Sequence, residues 1–285
     1  MKIGVCVVVK NENLYLRDWV EYHLGIGFDK VFIYDNNDIE KPECVVYDYI
    51  MNGCVEVIPW KTENILTQTT MDNWMLNQIR AYNHCIQNNQ DFDWIAFIDA
   101  DEYINIVDGS PIKYIISNNP YFHMYDAIIL SWKMMGDPNA LYYEDKPVLE
   151  RFTKPLEGIY AQVPCNQLVK SIVNIKSGVL FGEQYEPCNP HCPDTSDVCV
   201  SSGYGVIEWR GNYNRLYEPE HNVMYIKHYY TKSLIEYLIK SLNSNHRYYN
   251  DCGIRFDECI NQYKNLNGWS DEHEKVYQDF LKRHS

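Results

Sequence analysis

Over the first 110 residues, apolar runs of strand length alternate with stretches of helical periodicity, and this alternation constrains the fold more than any other feature of the chain. Lys2 to Lys10 is rich in Val and ends at Asn11-Glu12-Asn13, as a strand buried on both faces ends at a polar loop. Leu14 to Gly25 places Leu16, Trp19, Val20 and His23-Leu24 at helical spacing, with Gly25 and Gly27 as stop signals. Strands are expected again at Lys30 to Tyr34, Val55 to Trp60 and Trp94 to Ile98, with helices at Val45 to Met51 and Thr70 to Gln87. Strand and helix in this order require right-handed crossovers, so the expected fold is α/β: a mostly parallel, Rossmann-like sheet with helices on both faces.

Beyond residue 110 the pieces are shorter and mixed. Strands are expected at Ala127 to Trp132 and Gln167 to Ile175, and a short hairpin near Tyr204 to Trp209 within a proline-rich, loop-dominated stretch from 183 to 222. Helices are expected at Thr231 to Asn243 and Ser270 to Arg283, the latter with Val276, Phe280 and Leu281 facing inward. Ten cysteines without a secretory pattern read as mainly reduced. The dense group Cys188, His191, Cys192 and Cys199 lacks the paired spacing of a structural zinc site. No apolar run reaches the roughly 20 residues needed to span a bilayer. A cytoplasmic protein is expected, with peripheral association at the inner face of a membrane left open.

The strongest chemical signal is Trp94-Ile95-Ala96-Phe97-Ile98-Asp99-Ala100-Asp101-Glu102. A buried strand here delivers three acids in four positions at its carboxyl end, where open α/β sheets bind their ligands. Acids so crowded repel one another unless a cation joins them, and oxygen ligands favour Mg²⁺ or Mn²⁺. The alternative is that the acids cap a following helix. The formal charge of −14 excludes a nucleic-acid backbone as the main partner, but not a phosphorylated ligand bridged by a cation.

Five pieces of sequence stand in order along the chain: N-E-x-x-Y-L-R-D-W-V-E-Y-H-L-x-x-G-F-D-K-V-F-I-Y-D-N at Asn11 to Asn36, and W-I-A-F-I-D-A-D-E-Y-I at Trp94 to Ile104. W-K-M-M-G-D follows at Trp132 to Asp137, K-S-I-V-N at Lys170 to Asn174, and H-Y-Y-T-K-S-L-I-E-Y-L-I-K at His228 to Lys240. Together they resemble the nucleotide-sugar glycosyltransferases of the GT-A fold, more narrowly the bacterial relatives of glycosyltransferase families 2 and 92. The resemblance implies a nucleotide-sugar-binding half over 1–110 and a loop-rich acceptor half over 111–285 of the same domain. It implies a nucleotide-diphosphate sugar donor, UDP-linked in first expectation, with Mn²⁺ or Mg²⁺ at a DxD motif formed by Asp99 and Asp101. Val8, Val9 and Lys10 would line the nucleobase pocket and Asp35 would hold base or ribose. Asp101 would ligate the metal, Asp99 would lie near the donor ribose or sugar, and Lys232 would meet the diphosphate. His228 would complete the metal site, with His191 as its competitor. Arg17 and Glu21 are either donor contacts or an i,i+4 ion pair.

Transfer with inversion needs a base to deprotonate the acceptor hydroxyl. Asp137, in the loop after the strand ending at Trp132, is the first candidate; Glu150 is the second, unless it forms a structural pair with Arg151. The acceptor would be a saccharide or lipid-linked saccharide in surface polysaccharide or glycoconjugate synthesis. A nucleotidyltransferase is the rival enzyme, disfavoured because Lys10-Asn11-Glu12-Asn13 lacks the glycines of a phosphate loop. A non-catalytic carbohydrate-binding protein of the same fold is the third reading, to which the 25 tyrosines would lend themselves.

Overall fold

In the computed structural model, residues 1–61, 70–137, 139–156, 167–183, 190–194, 198–203, 206–208, 216, 218–243 and 256–284 are described. The amino-terminal part runs β1 (Ile3–Val9), α1 (Asn13–Gly25), β2 (Lys30–Asp35), α2 (Glu43–Met51), β3 (Val55–Pro59), α3 (Thr70–Asn88) and β4 (Trp94–Phe97). β5 (Glu102–Ile106), α4 (Ile112–Asn118), β6 (Ala127–Met134), α5 (Val148–Arg151) and β7 (Val169–Asn174) follow. β8 (Val198–Ser201), β9 (Val206–Glu208), β10 (Met224–His228), α6 (Leu234–Asn243), α7 (Phe256–Asn267) and α8 (Asp271–His284) complete the chain.

The strands join in the order β3-β2-β1-β4-β7-β6-β10-β5, with β8 and β9 branching from β6. Pairing is parallel from β3 through β4, as the βα alternation requires, and again between β6 and β10. β7 enters antiparallel between β4 and β6, and β5 closes the path antiparallel to β10. Strand alternation explains the helices on both faces. Ile3, Val5, Val7 and Val9 of β1 enter one core with Trp19 of α1, whereas Cys6 enters another with Ile79, Tyr82 and Cys85 of α3. β2 and β4 divide in the same way, Val31 and Ile33 from Phe32 and Tyr34, and Trp94 and Ala96 from Ile95 and Phe97. A third apolar cluster joins α6, α7 and α8 through Leu234, Tyr237, Leu238, Ile260, Tyr263, Val276 and Phe280.

The expected α/β architecture is therefore present, and the seven elements up to Phe97 match the expected ones within a few residues. Leu281, expected to face inward with Val276 and Phe280, is only partly buried. The hairpin is β8 against β9, with Val200 opposite Val206; Tyr204 and Trp209 lie outside the described residues. None of Cys6, Cys44, Cys54, Cys85, Cys192 and Cys259 forms a disulfide. Cys165, Cys188 and Cys252 fall outside the described residues, as does the side chain of Cys199. No helix among the described residues is long and apolar enough to cross a membrane.

Candidate active site

The acidic turn links β4 to β5, so a strand follows the acids, not the helix they would have capped. Its shape is set by its own residues: Glu102 N donates to the Asp99 carbonyl at 3.1 Å, and Asp99 N donates to Glu102 Oε2 at 2.7 Å. Helix α1 holds the outgoing strand. Trp19 Nε1 donates to the Glu102 carbonyl at 2.7 Å, Tyr22 Oη to the Ile104 carbonyl at 2.8 Å, and Ile104 N to His23 Nε2 at 3.4 Å. The W-V-E-Y-H piece of the sequence thus clamps the acidic turn from beneath. His23 Nδ1 faces the Trp19 carbonyl at 2.8 Å, and burial pushes its imidazole down to about 3, so it sits neutral in this clamp.

The three acids meet different partners. Asp99 Oδ1 accepts from Gln78 Nε2 of α3 at 2.7 Å, and Oδ2 accepts from Lys170 Nζ of β7 at 2.8 Å. Asp101 Oδ2 accepts from Lys240 Nζ of α6 at 2.7 Å, while Oδ1 faces His228 Nε2 at 3.5 Å. Burial opposes the Asp101 charge, yet Lys240 and His228 outweigh it and hold this carboxyl well below the usual range. Asp99 is likewise held low, with Lys170 overcoming burial. Glu102 is fully buried, with Oε1 unpartnered among the described residues. Burial drives its carboxyl well above the usual range although Lys170 Nζ lies 3.8 Å away, because Asp99 and Asp101 add to the penalty. Neighbouring carboxyls are thus pushed in opposite directions, Asp99 and Asp101 toward the ionised form and Glu102 toward the protonated one.

Lys232 occupies the turn between β10 and α6 with φ +50°, and Asn11, after β1, has φ +60°. These are the only left-handed non-glycine residues among those described. Such conformations cost about 1–3 kcal/mol each and cluster at functional sites. Lys232 Nζ lies over the Tyr15 ring at 4.3 Å, and burial lowers its ammonium despite the opposing charge of Glu12. His228 ends β10 and packs against Trp132 at 4.1 Å between ring centroids. His191 stands 5.5 Å from that same Trp132 ring, with Nδ1 at 2.9 Å from the Val169 carbonyl. Burial, aided by Lys170, pushes His191 down to about 3. Trp132 therefore touches both candidate histidines, and His228 is the one facing Asp101.

The remaining sequence candidates fall into two groups. Asp35 ends β2 beside Val8 and Val9 of β1; its Oδ1 accepts from Asn37 N at 2.9 Å and its Oδ2 from Lys41 Nζ at 3.2 Å. Lys10 pairs with Asp38 at 3.3 Å, so the ends of β1 and β2 form one polar rim. Asp137 follows β6, with Oδ1 accepting from Asn139 N at 2.9 Å. Gly136 before it is forced by packing, since a Cβ there would come within 2.7 Å of Leu156 Cδ2. Glu150 is exposed on α5, and the pair suggested with Arg151 does not form: Arg151 turns inward to Glu236. Arg17 binds Glu21 and Asp48, each at 2.9 Å, which is the ion-pair alternative and ties α1 to α2.

Lys170, Lys240, Gln78 and Glu12 are site residues that the sequence alone does not single out. Lys170 carries a signal, since a lysine inside the apolar run Val169-Lys170-Ser171-Ile172-Val173 needs a buried acid. Lys240 carries none beyond its place on a helix. Among the described residues, no group of three or more His, Cys, Asp or Glu side chains converges to hold a metal unaided. The donors present do fit a cation completed by a ligand. Two cis ligands about 2.1 Å from an ion lie about 3 Å apart, close to the Asp101–His228 gap of 3.5 Å, and Mg²⁺ is commonly held by one or two protein groups plus phosphates. That gap is too long for a good hydrogen bond and His228 Nδ1 is buried without a partner among the described residues, so neither ring nitrogen is well satisfied by them and Nε2 has room for a further group.

The family model for glycosyltransferase family 92 matches residues 1–182. The chain belongs to glycosyltransferase family 92. A family 92 protein from Oryza sativa subsp. japonica is 28% identical over 116 residues, covering 40% of this chain and 18% of the relative. One from Ricinus communis is 27% identical over 118 residues, covering 40% and 19%. The chain thus matches less than a fifth of the length of these curated plant relatives. Among solved structures, S. aureus TarS overlaps 100% of this chain and 43% of its own, with 14% identity and a TM-score of 0.39. Glucosyl-3-phosphoglycerate synthase from Mycobacterium tuberculosis, solved with Mn²⁺, UDP and glucosyl-3-phosphoglycerate, overlaps 47% and 44% with 11% identity and a TM-score of 0.28. The family 92 match contains the acidic turn, its α1 clamp and Lys170, while His228, Lys232 and Lys240 lie beyond it.

Proposed function

We propose that this family 92 chain transfers a sugar from a nucleotide-diphosphate sugar, UDP-linked in the first instance, to a hydroxyl of a saccharide or lipid-linked saccharide, with inversion at the anomeric carbon. The observation that carries this reading is the ionised Asp101 at the carboxyl end of the sheet, with one oxygen held by Lys240 and the other facing His228. Asp101 and His228 would hold Mn²⁺ or Mg²⁺. Bound there, the cation would offset charge on the departing diphosphate.

The other roles belong to the chain's own groups. Lys232, whose ammonium is disfavoured by burial, would be stabilised in its charged form by arriving phosphate oxygens. Asp99, locked by Gln78 and Lys170, is oriented to accept a hydrogen bond from a donor hydroxyl. Asp35, Val8, Val9 and Lys10 form the rim for base and ribose. Asp137 takes the acceptor proton; Glu150, exposed on α5, is second for that role. A product in surface polysaccharide or glycoconjugate synthesis and a cytoplasmic location belong to the same proposal.

The test is donor hydrolysis and sugar transfer across UDP- and GDP-sugars with Mn²⁺, with and without chelator, alongside Asp101→Asn, His228→Ala and Asp137→Asn. Donor binding, read by thermal shift, should collapse with chelator and in Asp101→Asn. Asp137→Asn should bind donor normally and lose turnover. Undiminished turnover in Asp101→Asn would overturn the assignment, and donor binding without any turnover would favour the carbohydrate-binding reading.

A further inference from the structure

On the reverse face of the sheet from His228, two lysines stand side by side, and among the described residues no acid pairs with either. Lys133 of β6 and Lys227 of β10 are register partners in a parallel pair. Strand alternation points them away from the face that carries Trp132 and His228. Both are partly buried, and neither forms an ion pair or hydrogen bond among the described residues. Burial lowers the Lys227 ammonium and the neighbouring Lys133 lowers it further. The chain has 39 acidic residues against 25 basic ones, so leaving two adjacent lysines unpaired is a departure from its own composition. Like charges side by side on neighbouring strands destabilise a sheet. An arrangement that weakens the fold with no acid to compensate it among the described residues marks a place where function sets the residue choice.

Two more groups complete the face. Lys133 Nζ lies 5.2 Å from the centroid of the Tyr225 ring, and the His221 ring meets the same tyrosine at 5.1 Å between centroids. His221 Nε2 approaches the Trp132 carbonyl at 2.9 Å, and burial lowers its imidazole. Glu220, the nearest acid along this segment, accepts from Gly203 N at 2.8 Å and forms an ion pair with neither lysine among the described residues. The face therefore offers two ammonium donors beside an aromatic ring, a combination suited to an oxyanion attached to a pyranose: charge-assisted hydrogen bonds for the anion, ring packing for the sugar.

We propose that Lys133, Lys227 and Tyr225 form a binding site for a phosphate-bearing saccharide, separate from the donor cluster and on the opposite face of the sheet. The saccharide part rests on the transferase reading above; the phosphate part stands on the lysine pair alone.

Calorimetric titration with glucose 6-phosphate, inorganic phosphate and glucose tests it on the full chain, on K133Q/K227Q, on K133R/K227R, on Tyr225→Leu and on the donor-site variant Lys232→Gln. Glucose 6-phosphate should bind the wild type and Lys232→Gln alike. It should weaken about tenfold or more in K133Q/K227Q and keep its affinity in K133R/K227R. Inorganic phosphate should show the same lysine dependence more weakly, and Tyr225→Leu should weaken glucose 6-phosphate but not phosphate. K133Q/K227Q should melt at or above the wild-type temperature, because repulsion is relieved. Equal affinity in K133Q/K227Q and wild type, or a lower melting temperature in that variant, overturns the proposal. Loss of binding in Lys232→Gln instead assigns the ligand to the donor cluster and also overturns it. Lysine-dependent sedimentation with phosphatidylglycerol vesicles, without glucose 6-phosphate binding, moves the phosphate to a lipid headgroup and overturns the saccharide assignment. Donor turnover is measured separately, so a chain that binds glucose 6-phosphate here yet transfers no sugar refutes the transferase reading and leaves the anion site standing.

Discussion

Replacing Lys170 by Met should be among the most damaging single changes in this chain, and its cost can be worked from the geometry. Lys170 is 1% exposed, its Nζ lies 2.8 Å from Asp99 Oδ2, and it is 3.8 Å from Glu102 Oε2. At an effective dielectric constant of about 20, the shorter separation corresponds to about 6 kcal/mol of attraction. Burying the ammonium offsets part of this, and Asp99 keeps some contact with water, its side chain being 29% exposed. Methionine fills similar volume and removes the desolvation cost of the lysine, but leaves Asp99 with an uncompensated charge beside Asp101. Breaking one side of a buried pair costs about 3–5 kcal/mol, which is the expected loss. Urea unfolding followed by tryptophan fluorescence measures it. The double variant, Asp99→Asn with Lys170→Met, should recover at least about 1 kcal/mol of that loss, since neither charge then remains. A loss below about 1 kcal/mol for Lys170→Met alone would refute the reasoning, because it would mean that water already solvates the pair.

Two further outcomes follow from the same turn. Glu102 keeps its proton in the native state above the pH at which an unfolded glutamate loses it, so native stability falls as pH rises through the window between those two values. Glu102→Gln retains an oxygen for Asp99 N and removes that ionisation, so it should gain stability over wild type at about pH 8 relative to about pH 5; urea midpoints at both pH values check this. Trp19→Phe removes the donor to the Glu102 carbonyl and should cost about 1–3 kcal/mol, with faster amide exchange at Glu102 and Tyr103 as the local readout.

The elements legible in the sequence are those whose partners lie close along the chain. β1, β2 and β4 are buried along nearly their whole length, and such apolar runs announce themselves without reference to anything distant; β3, an edge strand with Glu56 exposed, is legible from its place in the βα alternation. β5 and β10 are not: Glu102-Tyr103-Ile104-Asn105-Ile106 and Met224-Tyr225-Ile226-Lys227-His228 are five-residue strands of mixed polarity whose pairing joins residues more than 100 positions apart. β5 also begins inside the acidic motif, so its first residue belongs to the strand as much as to the chemistry. The acids themselves are visible because they are contiguous. Their lysines are not, since Lys170 and Lys240 come from β7 and α6 and meet Asp99 and Asp101 only through tertiary packing. Arg151 shows the reverse error: adjacency suggests Glu150, but a short helix of four residues turns the guanidinium into the core and leaves Glu150 in solvent.

That inward arginine connects the fold to the site. Arg151 and Glu236 form a bidentate pair, with Nη1 to Oε1 at 2.9 Å and Nη2 to Oε2, both side chains about 5% exposed or less. Glu236 also accepts from Tyr15 Oη of α1 at 2.7 Å, from Ser233 N at 3.1 Å and from Ser233 Oγ, forming with Ser233 the capping box that starts α6. One carboxylate therefore fixes α1, α5 and α6 together. Lys232 and Lys240 lie at the start and near the end of that helix segment, so their distance to Asp101 depends on where Glu236 is held. Arg151→Met should cost about 3–5 kcal/mol of stability. It should also weaken donor binding more than it slows turnover of bound donor, because Arg151 itself touches none of the proposed reacting groups. Arg151→Lys should restore little, since an ammonium cannot reproduce the two parallel bonds. Measuring KM and kcat for both variants at a temperature where each remains folded decides the matter. An unchanged KM with a fallen kcat would show that the pair does not act by placing α6.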